Sequence, residues 1–510
     1  MKTTILSTSD VHGYFLADDF RRPLQDLGFG LAKAATVIRR EREKAGDGEL
    51  VITIENGDFI QGSPLTNYIE KVVPDEAVLY NELAEAVGYD VRILGNHEFN
   101  YGRDYLEKVF AGNQTLLNAN IVDEKTKQPF IGQPYRIFEK NGERVAVIGV
   151  TTQYIPHWEK PANIPGLNFL DPVTVVRDLV AHLQGKVNQI VVAYHGGFNR
   201  DLATGEAIEP ITTENQGTDL LAIDGVDALV TGHQHRTLAD LVAGKPTTQP
   251  GYRGDHVGRI ILDEDGKNEA AVLPTAAAAE DSEISRIVKP MYERVNAWLD
   301  KPVGHVGTNM RITDHFQARL YGHSFTELVN QVQMAATGAS ISANAIFNDE
   351  MRGLDDVVTV RDVMTNYIYP NTLVVEKLTG AQLLEALENN AAYFDVKDGQ
   401  PAVNDKYLFP KTEHYNDDIW SGVSYTLDLR KQQGSRIQDV QVAGEPLDLT
   451  AEYEVVINNY RAGGAGNAAF SHDKIVREVQ TDVAELIANY LLAHPQIQID
   501  QPKNVKVLVS

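Results

Sequence analysis

The sequence predicts an α/β chain of two domains, with polar side chains carried at the ends of buried strands. Three observations lead there. Five short apolar, β-branched runs each lead into a turn-forming polar motif, the pattern of a strand followed by a turn. A helical periodicity follows Asp281-Ser282, with Ile284, Ile287, Val288, Met291, Val295, Trp298 and Leu299 on one face and Lys301-Pro302 as its stop. The length of 510 residues is more than a single core needs.

Taken in chain order, residues 3–9 precede Asp10-Val11-His12, and residues 51–55 precede Gly57-Asp58. Residues 91–94 precede Gly95-Asn96-His97-Glu98. Residues 189–194 precede His195-Gly196-Gly197, and residues 228–231 precede Gly232-His233-Gln234-His235. These strands are expected to bring their ends to one edge of one or two packed sheets, with the glycines letting backbone approach an ion closely. The helical stretch, 281–302, is expected to link a first domain, 1–280, to a second, 303–510. Pro290 should kink it or split it in two. Ser324-x-x-Glu327 reads as a capping box opening the first helix of the second domain. Ala276–Ala279 is the one low-complexity patch, and no internal repeat is present.

The five motifs supply two aspartates, one asparagine and five of the fourteen histidines. A lone Asp-x-His after a strand is usually a turn or a helix cap. His233-x-His235 is more telling, because alternate strand residues face the same way. The joint occurrence in one repeated strand–turn context is what points to chemistry. The inventory suits two adjacent divalent ions with one histidine left over. Mixed imidazole and carboxylate ligands favour Zn, Mn or Fe over Ca or Mg. A metal pair about 3.5–4 Å apart activates water and clamps phosphoryl oxygens for in-line attack. A side chain outside the ligand set must then serve the leaving alkoxide, and His97 is placed for it.

These motifs, in this order and across essentially the whole chain, resemble the calcineurin-like metallophosphoesterases, and more narrowly the bacterial 5′-nucleotidase and 2′,3′-cyclic-nucleotide phosphodiesterase group. The resemblance implies a metallophosphoesterase β-sandwich flanked by helices, joined by the helical linker to an α+β 5′-nucleotidase C-terminal domain. It implies that Asp10, His12, Asp58 and His235 hold one metal, and that Asp58, Asn96, His195 and His233 hold the second, with Asp58 bridging. His97 would be the catalytic histidine. Many members follow it with an aspartate three residues on; here Asn100 stands there, within His97-Glu98-Phe99-Asn100-Tyr101-Gly102. An amide carbonyl orients an imidazole but cannot stabilise its cation with a full charge. That form resembles the subgroup acting on 2′,3′-cyclic nucleotides and 3′-nucleotides.

The second half carries Tyr367-Ile368-Tyr369-Pro370-Asn371-Thr372 ahead of an apolar run, and Asn458-Asn459-Tyr460-Arg461-Ala462-Gly463-Gly464 behind another. By themselves these read as ordinary turns with half-buried aromatics. By the resemblance, Tyr369 and Tyr460 map to the two rings that grip the base. Stacking of this kind tolerates any base. The Asn-Gly-Gly-Gly-Ile-Arg segment of 5′-nucleotidases is replaced by Ala343-Asn344-Ala345-Ile346-Phe347-Asn348, without its phosphate arginine. Asn344, Asn348 and Arg461 are the remaining candidates for sugar contacts.

A net charge of −25 argues against a nucleic-acid polymer as partner. A small anionic nucleotide remains compatible, because bound metal supplies local positive charge. The absence of cysteine excludes disulfides and thiolate zinc sites. No signal peptide or membrane segment is read, so the expected setting is cytoplasmic, or exported if the natural chain is longer, as a monomer or dimer. The leading expectation is a two-metal phosphohydrolase that opens 2′,3′-cyclic nucleotides and removes the 3′-phosphate. A 5′-nucleotidase or a nucleotide-sugar or dinucleotide hydrolase on the same scaffold is the alternative, and an inactive nucleotide-binding protein the alternative of another class.

Overall fold

Each of the five apolar runs is a strand in the computed structural model, which describes residues 2–22, 26–209, 211–369, 371–479 and 481–509. The strands are Lys2–Thr8, Leu50–Glu55, Val91–Ile93, Gln189–His195 and Ala228–Val230. Each stops within two residues of its motif, or on the motif's first histidine.

The first three lie in a six-stranded sheet ordered Glu269–Pro274, His256–Asp263, Lys2–Thr8, Leu50–Glu55, Val91–Ile93, Leu116–Leu117. The last two lie in a second six-stranded sheet ordered Thr237–Val242, Lys245–Pro250, Ala228–Val230, Gln189–His195, Glu143–Thr151, Tyr135–Lys140. Within each sheet the motif strands pair in parallel, so their C-terminal ends share an edge. The two sheets face one another across a common core. Ile52, Ile54, Val91 and Ile93 of one pack with Val145, Val147, Val191 and Val230 of the other. The alternation of period two is visible along Glu143–Thr151. Val145 and Val147 face the sandwich, whereas Ala146, Ile148 and Val150 face Val176, Val180 and Leu183 of the helix Pro172–Leu183. Nearly continuous apolar runs therefore mark strands buried on both faces. The helix-flanked β-sandwich of the expectation is present.

Residues Ser282–Leu299 form one helix that runs through Pro290. Asp281 Oδ1 caps it, accepting from the amides of Glu283 and Ile284 at 3.0 and 3.1 Å. Ile284, Val288, Met291, Val295 and Leu299 form the buried stripe, while Pro290 and Arg286 are exposed. The hydrogen bond that proline cannot make is lost where water can replace it. The chain divides into two compact units inside this helix, one ending at Asn296 and the next starting at Ala297.

The second unit is α+β. A five-stranded sheet runs in the order Ile419–Ser421, Ile341–Asn344, Glu452–Asn458, Leu373–Thr379, Ile475–Val479. Neighbouring residues of Leu373–Thr379 serve opposite faces. Val375 packs with Leu328 and Val332 of the helix Ser324–Thr337, and Val374 with Leu383 and Leu387 of the helix Gly380–Ala391. The expected capping box is displaced by one residue and is not on the first helix, which is His315–Tyr321. His323 Nδ1 accepts from the Phe325 amide at 3.2 Å and Thr326 Oγ1 from the His323 amide at 3.1 Å. Ser324 is buried and donates instead to the Asn309 carbonyl at 2.7 Å. Among the described residues, no helix is long and apolar enough to cross a membrane.

A pair of buried acids in this unit generates a pH prediction. Asp418 pairs with Arg461 at 3.0 Å. Among the described residues Asp417 has only a long contact from Asn390, at 3.4 Å, and burial pushes its carboxyl up to about 8 even though Arg319 pulls it down. The folded chain thus holds a proton between about pH 4 and 8 that the unfolded chain has lost, so this group's contribution to stability fades as pH rises through that window. Asp417→Asn should gain on the wild type in urea midpoint between pH 5 and pH 8.5. An equal offset at both pH values would refute the assignment.

Candidate metal centre

The first two motif loops are tied by their backbones. The Asp10 amide donates to the Gly57 carbonyl at 3.0 Å and the His12 amide to the Asp58 carbonyl at 2.8 Å. The two sheets are tied at the same edge. Asn56 Nδ2 donates to the Tyr194 carbonyl at 3.1 Å across them, while within the second sheet the Gly232 amide donates to the Gly196 carbonyl at 3.0 Å. The His233 amide donates to both Asp10 carboxylate oxygens at 3.1 Å. Asp10, Asp58 and His195 are at most 1 % exposed.

All seven expected ligands meet here. His12 Nε2 and His235 Nε2 are 3.1 Å apart, and His235 Nε2 is 3.5 Å from Asp10 Oδ1. Asp58 Oδ2 stands 3.2 Å from His195 Nε2 and 3.9 Å from His12 Nε2. Asn96 Oδ1 is 3.1 Å from His195 Nε2 and 2.9 Å from His233 Nδ1. Two groups have ligand atoms all within 4.8 Å of one another: Asp10, His12 and His235, and Asp10, Asp58 and His195. Asp10 thus faces both halves, which the expected division of ligands did not include.

The protons show why this cluster fits a cation. A carbonyl can only accept, so His195 Nδ1 donates to the Asn56 carbonyl at 2.8 Å and His12 Nδ1 to the Gln61 carbonyl at 2.9 Å. His233 Nε2 in turn faces the Glu214 carboxylate at 2.9 Å. Outer partners of this kind set the tautomer of metal-ligating histidines. In their neutral forms His195 and His233 then turn a lone pair toward oxygens that also carry only lone pairs, and His12 turns its own toward His235 Nε2. Acceptors packed against acceptors require a positive charge among them. Burial opposes charge on His195, yet Asp58 and Asp10 outweigh it and push the imidazole up to about 10. Burial would raise both carboxylates, but His195 with His235 holds Asp10, and His195 with His97 holds Asp58, well below the usual range. The charges that draw a proton to His195 would draw a metal to the same place.

The backbone at the site is unusual. Asp10, His12, Asp58, His233 and His235 have φ of 55°, 53°, 58°, 68° and 56°. Few non-glycine residues adopt the left-handed region, and such outliers concentrate at functional sites. Two of the motif glycines give clearance to side chains. A Cβ on Gly95 would stand 2.2 Å from Asp58 Oδ1, and one on Gly232 would stand 2.1 Å from Ser9 Oγ and 2.8 Å from Asp10 Oδ2. Gly95 and Gly232 thus make room for the two carboxylates.

His97 adjoins the cluster. Its amide donates to Asp58 Oδ1 at 2.8 Å and its ring meets His12 edge-on at 5.2 Å. Its Nδ1 is 2.7 Å from Asn100 Oδ1. Several supporting residues carry no sequence signal of their own. Glu214 lies far along the chain from His233 and Glu159 far from Asn100, the residues they bond, and Tyr252 stacks on His235 at 4.8 Å. Glu98 sits inside a motif, yet its role shows only in three dimensions. Its Oε2 accepts from the Asp58 and Gly95 amides at 2.8 and 2.6 Å, and its Oε1 from the Phe59 amide at 2.7 Å and the Ile60 amide at 3.3 Å.

In the second unit, the turns bearing Tyr369 and Tyr460 are neighbours. The Asn459 amide donates to the Thr372 carbonyl at 3.0 Å, and the Thr372 amide to Asn459 Oδ1 at 2.9 Å. Both tyrosines are half-buried, Tyr369 edge-on to Phe347 at 5.1 Å and Tyr460 edge-on to Tyr415 at 6.1 Å. Pro370 lies outside the described residues. The three residues expected at the sugar have structural work. Asn344 donates to the Thr326 carbonyl at 2.9 Å, and Asn348 Oδ1 accepts from the amides of Glu350 and Met351 at 2.9 and 3.1 Å. Arg461 is 2 % exposed and bonds Asp418, Asn416 and the carbonyls of Tyr415 and Ala465.

Residues 3–237 match the family model for calcineurin-like phosphoesterases, and residues 302–472 match that for the 5′-nucleotidase C-terminal domain. The chain is similar to the 2′,3′-cyclic-nucleotide 2′-phosphodiesterase/3′-nucleotidase of Salmonella typhimurium, at 31 % identity over 90 % of this chain and 81 % of that protein. It is 28 % identical to the Haemophilus influenzae protein of the same name, over 96 % of this chain and 84 % of that one. Among solved structures, a Staphylococcus aureus protein provisionally assigned as a 5′-nucleotidase and crystallised with alpha-ketoglutarate is 34 % identical, with a TM-score of 0.92 and full coverage of both chains.

Glu98 yields a test of how the site is held. Both of its oxygens accept backbone N–H bonds, so an amide in its place would set donors against donors. Glu98→Gln should weaken metal binding about 10–100-fold, the range for outer-shell partners. Titration calorimetry on folded protein would measure it. An unchanged affinity would exclude Glu98 as the brace.

Proposed function

The chain belongs to the calcineurin-like phosphoesterases with a 5′-nucleotidase C-terminal domain, and from that premise we propose that it opens 2′,3′-cyclic nucleotides to 3′-nucleotides and then removes the 3′-phosphate. It is a metal-dependent phosphoric ester hydrolase of a family that uses a divalent metal centre. The observation that carries the proposal is a cage of converging acceptors with one histidine, His97, beside it and bonded elsewhere. The similarity to the two cyclic phosphodiesterases supports the substrate class.

We assign two divalent ions, Mn, Zn or Fe. Asp10, His12, Asp58 and His235 would hold one, and Asp58, Asn96, His195 and His233 the other. When bound, such a pair supplies Lewis acidity toward phosphoryl oxygens and a lowered pKa for water. The residues around it divide the remaining work. Asp58 offsets the repulsion between two cations, and its Oδ1 also holds the His97 backbone against the cage. Asn96 offers a neutral oxygen, which would leave a metal held there more electrophilic than a third carboxylate would. His97, steadied by Asn100, hands a proton to the leaving oxygen. A cyclic 2′,3′-phosphate is a strained diester, so a histidine backed by an amide suffices for its opening. On the second unit, Tyr369 and Tyr460 are assigned to stack the base. Asn344, Asn348 and Arg461 remain the candidates for sugar contacts, each also bonded within the second unit. The other reading, a 5′-nucleotidase, is favoured by the assignment given to the Staphylococcus aureus protein.

His97→Ala should lower kcat by roughly 10²–10⁴-fold, the usual contribution of general acid–base catalysis. Metal content, measured by elemental analysis, should stay at about two ions per chain. Loss of metal along with activity would make His97 a ligand instead.

Turnover of 2′,3′-cyclic AMP, 3′-AMP and 5′-AMP with added Mn²⁺ decides the substrate. The cyclic and 3′ substrates should lead. Tyr369→Ala and Tyr460→Ala should each cost about 1–3 kcal/mol in kcat/KM, the scale of one stacked base, and little on a diester without a base. A strong preference for 5′-AMP would replace this reading with the 5′-nucleotidase.

A further inference from the structure

The amide that stands where many relatives would have an aspartate is itself held by a carboxylate. Asn100 Nδ2 donates to Glu159 Oε2 at 2.7 Å, while Asn100 Oδ1 faces His97 Nδ1 at the same distance. Glu159 is 8 % exposed. Its other oxygen accepts from the Lys160 amide at 2.9 Å and from Asn163 Nδ2 at 2.8 Å. Asn163 Nδ2 also donates to the Asn100 carbonyl at 3.0 Å. Three donors therefore converge on this carboxylate; burial raises its proton affinity, and the bonds from Asn100, the Lys160 amide and Asn163 pull it back down while leaving both oxygens as acceptors.

We propose that Glu159 is a positioning residue for the reaction, acting through Asn100 to set the tautomer of His97. The inference rests on the reading of His97 as the proton donor to the leaving oxygen. The logic is one of donors and acceptors. An ionised carboxylate only accepts, so the amide must turn its NH₂ to Glu159 and its oxygen to the imidazole. That oxygen only accepts, so His97 Nδ1 must carry a proton. Nε2 is then the nitrogen that gives and takes the mobile proton. Without Glu159, Asn100 could flip and place its NH₂ on Nδ1, which would move the imidazole proton to Nε2 in the neutral form and reverse the polarity of the pair. The missing charge beside His97 is thus present one residue further out.

The proton balance is simple. Water adds its oxygen to phosphorus, and the P–O2′ bond breaks with its electron pair on O2′. His97 in its doubly protonated form passes the Nε2 proton to O2′, keeps the Nδ1 proton toward Asn100, and regains one from water. A leaving group that needs no proton does not need this histidine to be set.

The test compares two leaving groups. Glu159→Gln keeps shape but puts a donor where an acceptor stood, so the amide at 100 is no longer held one way. It should lower kcat on 2′,3′-cyclic AMP about 10–100-fold, as for other outer partners, with KM and metal content near the wild type. On bis(p-nitrophenyl) phosphate, whose phenolate leaves unprotonated, the loss should be several times smaller. Asn100→Asp alone sets two carboxylates together and should also impair the alkoxide substrate. The double variant Asn100→Asp/Glu159→Gln restores a one-way chain, with the new amide donating to the new carboxylate, and should recover most of the lost turnover. Labelled-histidine NMR, with His97→Ala to assign the signal, should report protonated Nδ1 in the wild type and a mixture in Glu159→Gln. Equal losses on both substrates, no loss at all, or a double variant no better than the singles would each overturn the proposal. A wild type that prefers 5′-AMP fails the cyclic-nucleotide reading only. The same comparison then proceeds with 5′-AMP, whose leaving oxygen is also an alkoxide.

Discussion

One electrostatic constraint governs this structure: at the edge of the sandwich, acceptors outnumber the protons available to them. Asp10 and Asp58 are buried carboxylates, Asn96 turns its carbonyl inward, and three imidazoles have their protons committed outward to Asn56, Gln61 and Glu214. An uncompensated buried charge costs several kcal/mol. His195, pushed up to about 10, relieves part of it with a proton. A divalent cation places twice that charge on a single point and satisfies several lone pairs together. The cluster is therefore pre-organised for metal, with the cost of gathering it met by the fold.

That cost is visible in the backbone. Five ligand residues are left-handed, each at roughly 1–2 kcal/mol, so several kcal/mol in sum. Set against a net domain stability of about 5–15 kcal/mol, this is a large share. The sandwich core offsets it, since both faces of its central strands are buried. Glu98 concentrates the effect locally by gathering the amides of two motif loops onto one carboxylate. Rigid strands below and a shared carboxylate above leave the ligands little freedom to relax.

The same donor–acceptor accounting extends outward from the ligands. A chain with net charge −25 places its acids around the centre with set tasks. Glu214 orients His233, Glu98 the loops, and Glu159 the amide of Asn100. In the second unit the same rule assigns Arg461 inward. Buried Asp418 requires a cation, so a guanidinium beside the tyrosine turn serves the fold.

Much of this was legible along the chain. Strand identity was, because strands buried on both faces read as unbroken apolar runs, and each motif follows one. The ligand types were, because metal chemistry restricts them to a few side chains placed at strand ends. The helix at 281–302 was, though not its passage through Pro290, which depends on that residue facing water. Tertiary structure alone decided the rest. Left-handed φ at the ligands, the clearance that Gly95 and Gly232 give to carboxylates, and Asp10 facing both groups arise from contacts between segments distant in sequence. Glu159 reaches Asn100 across 59 positions, and Glu214 reaches His233 across 19. Local periodicity records which face of an element is buried. It holds no record of which distant carboxylate will accept a particular proton, because that is settled only when the strands have packed.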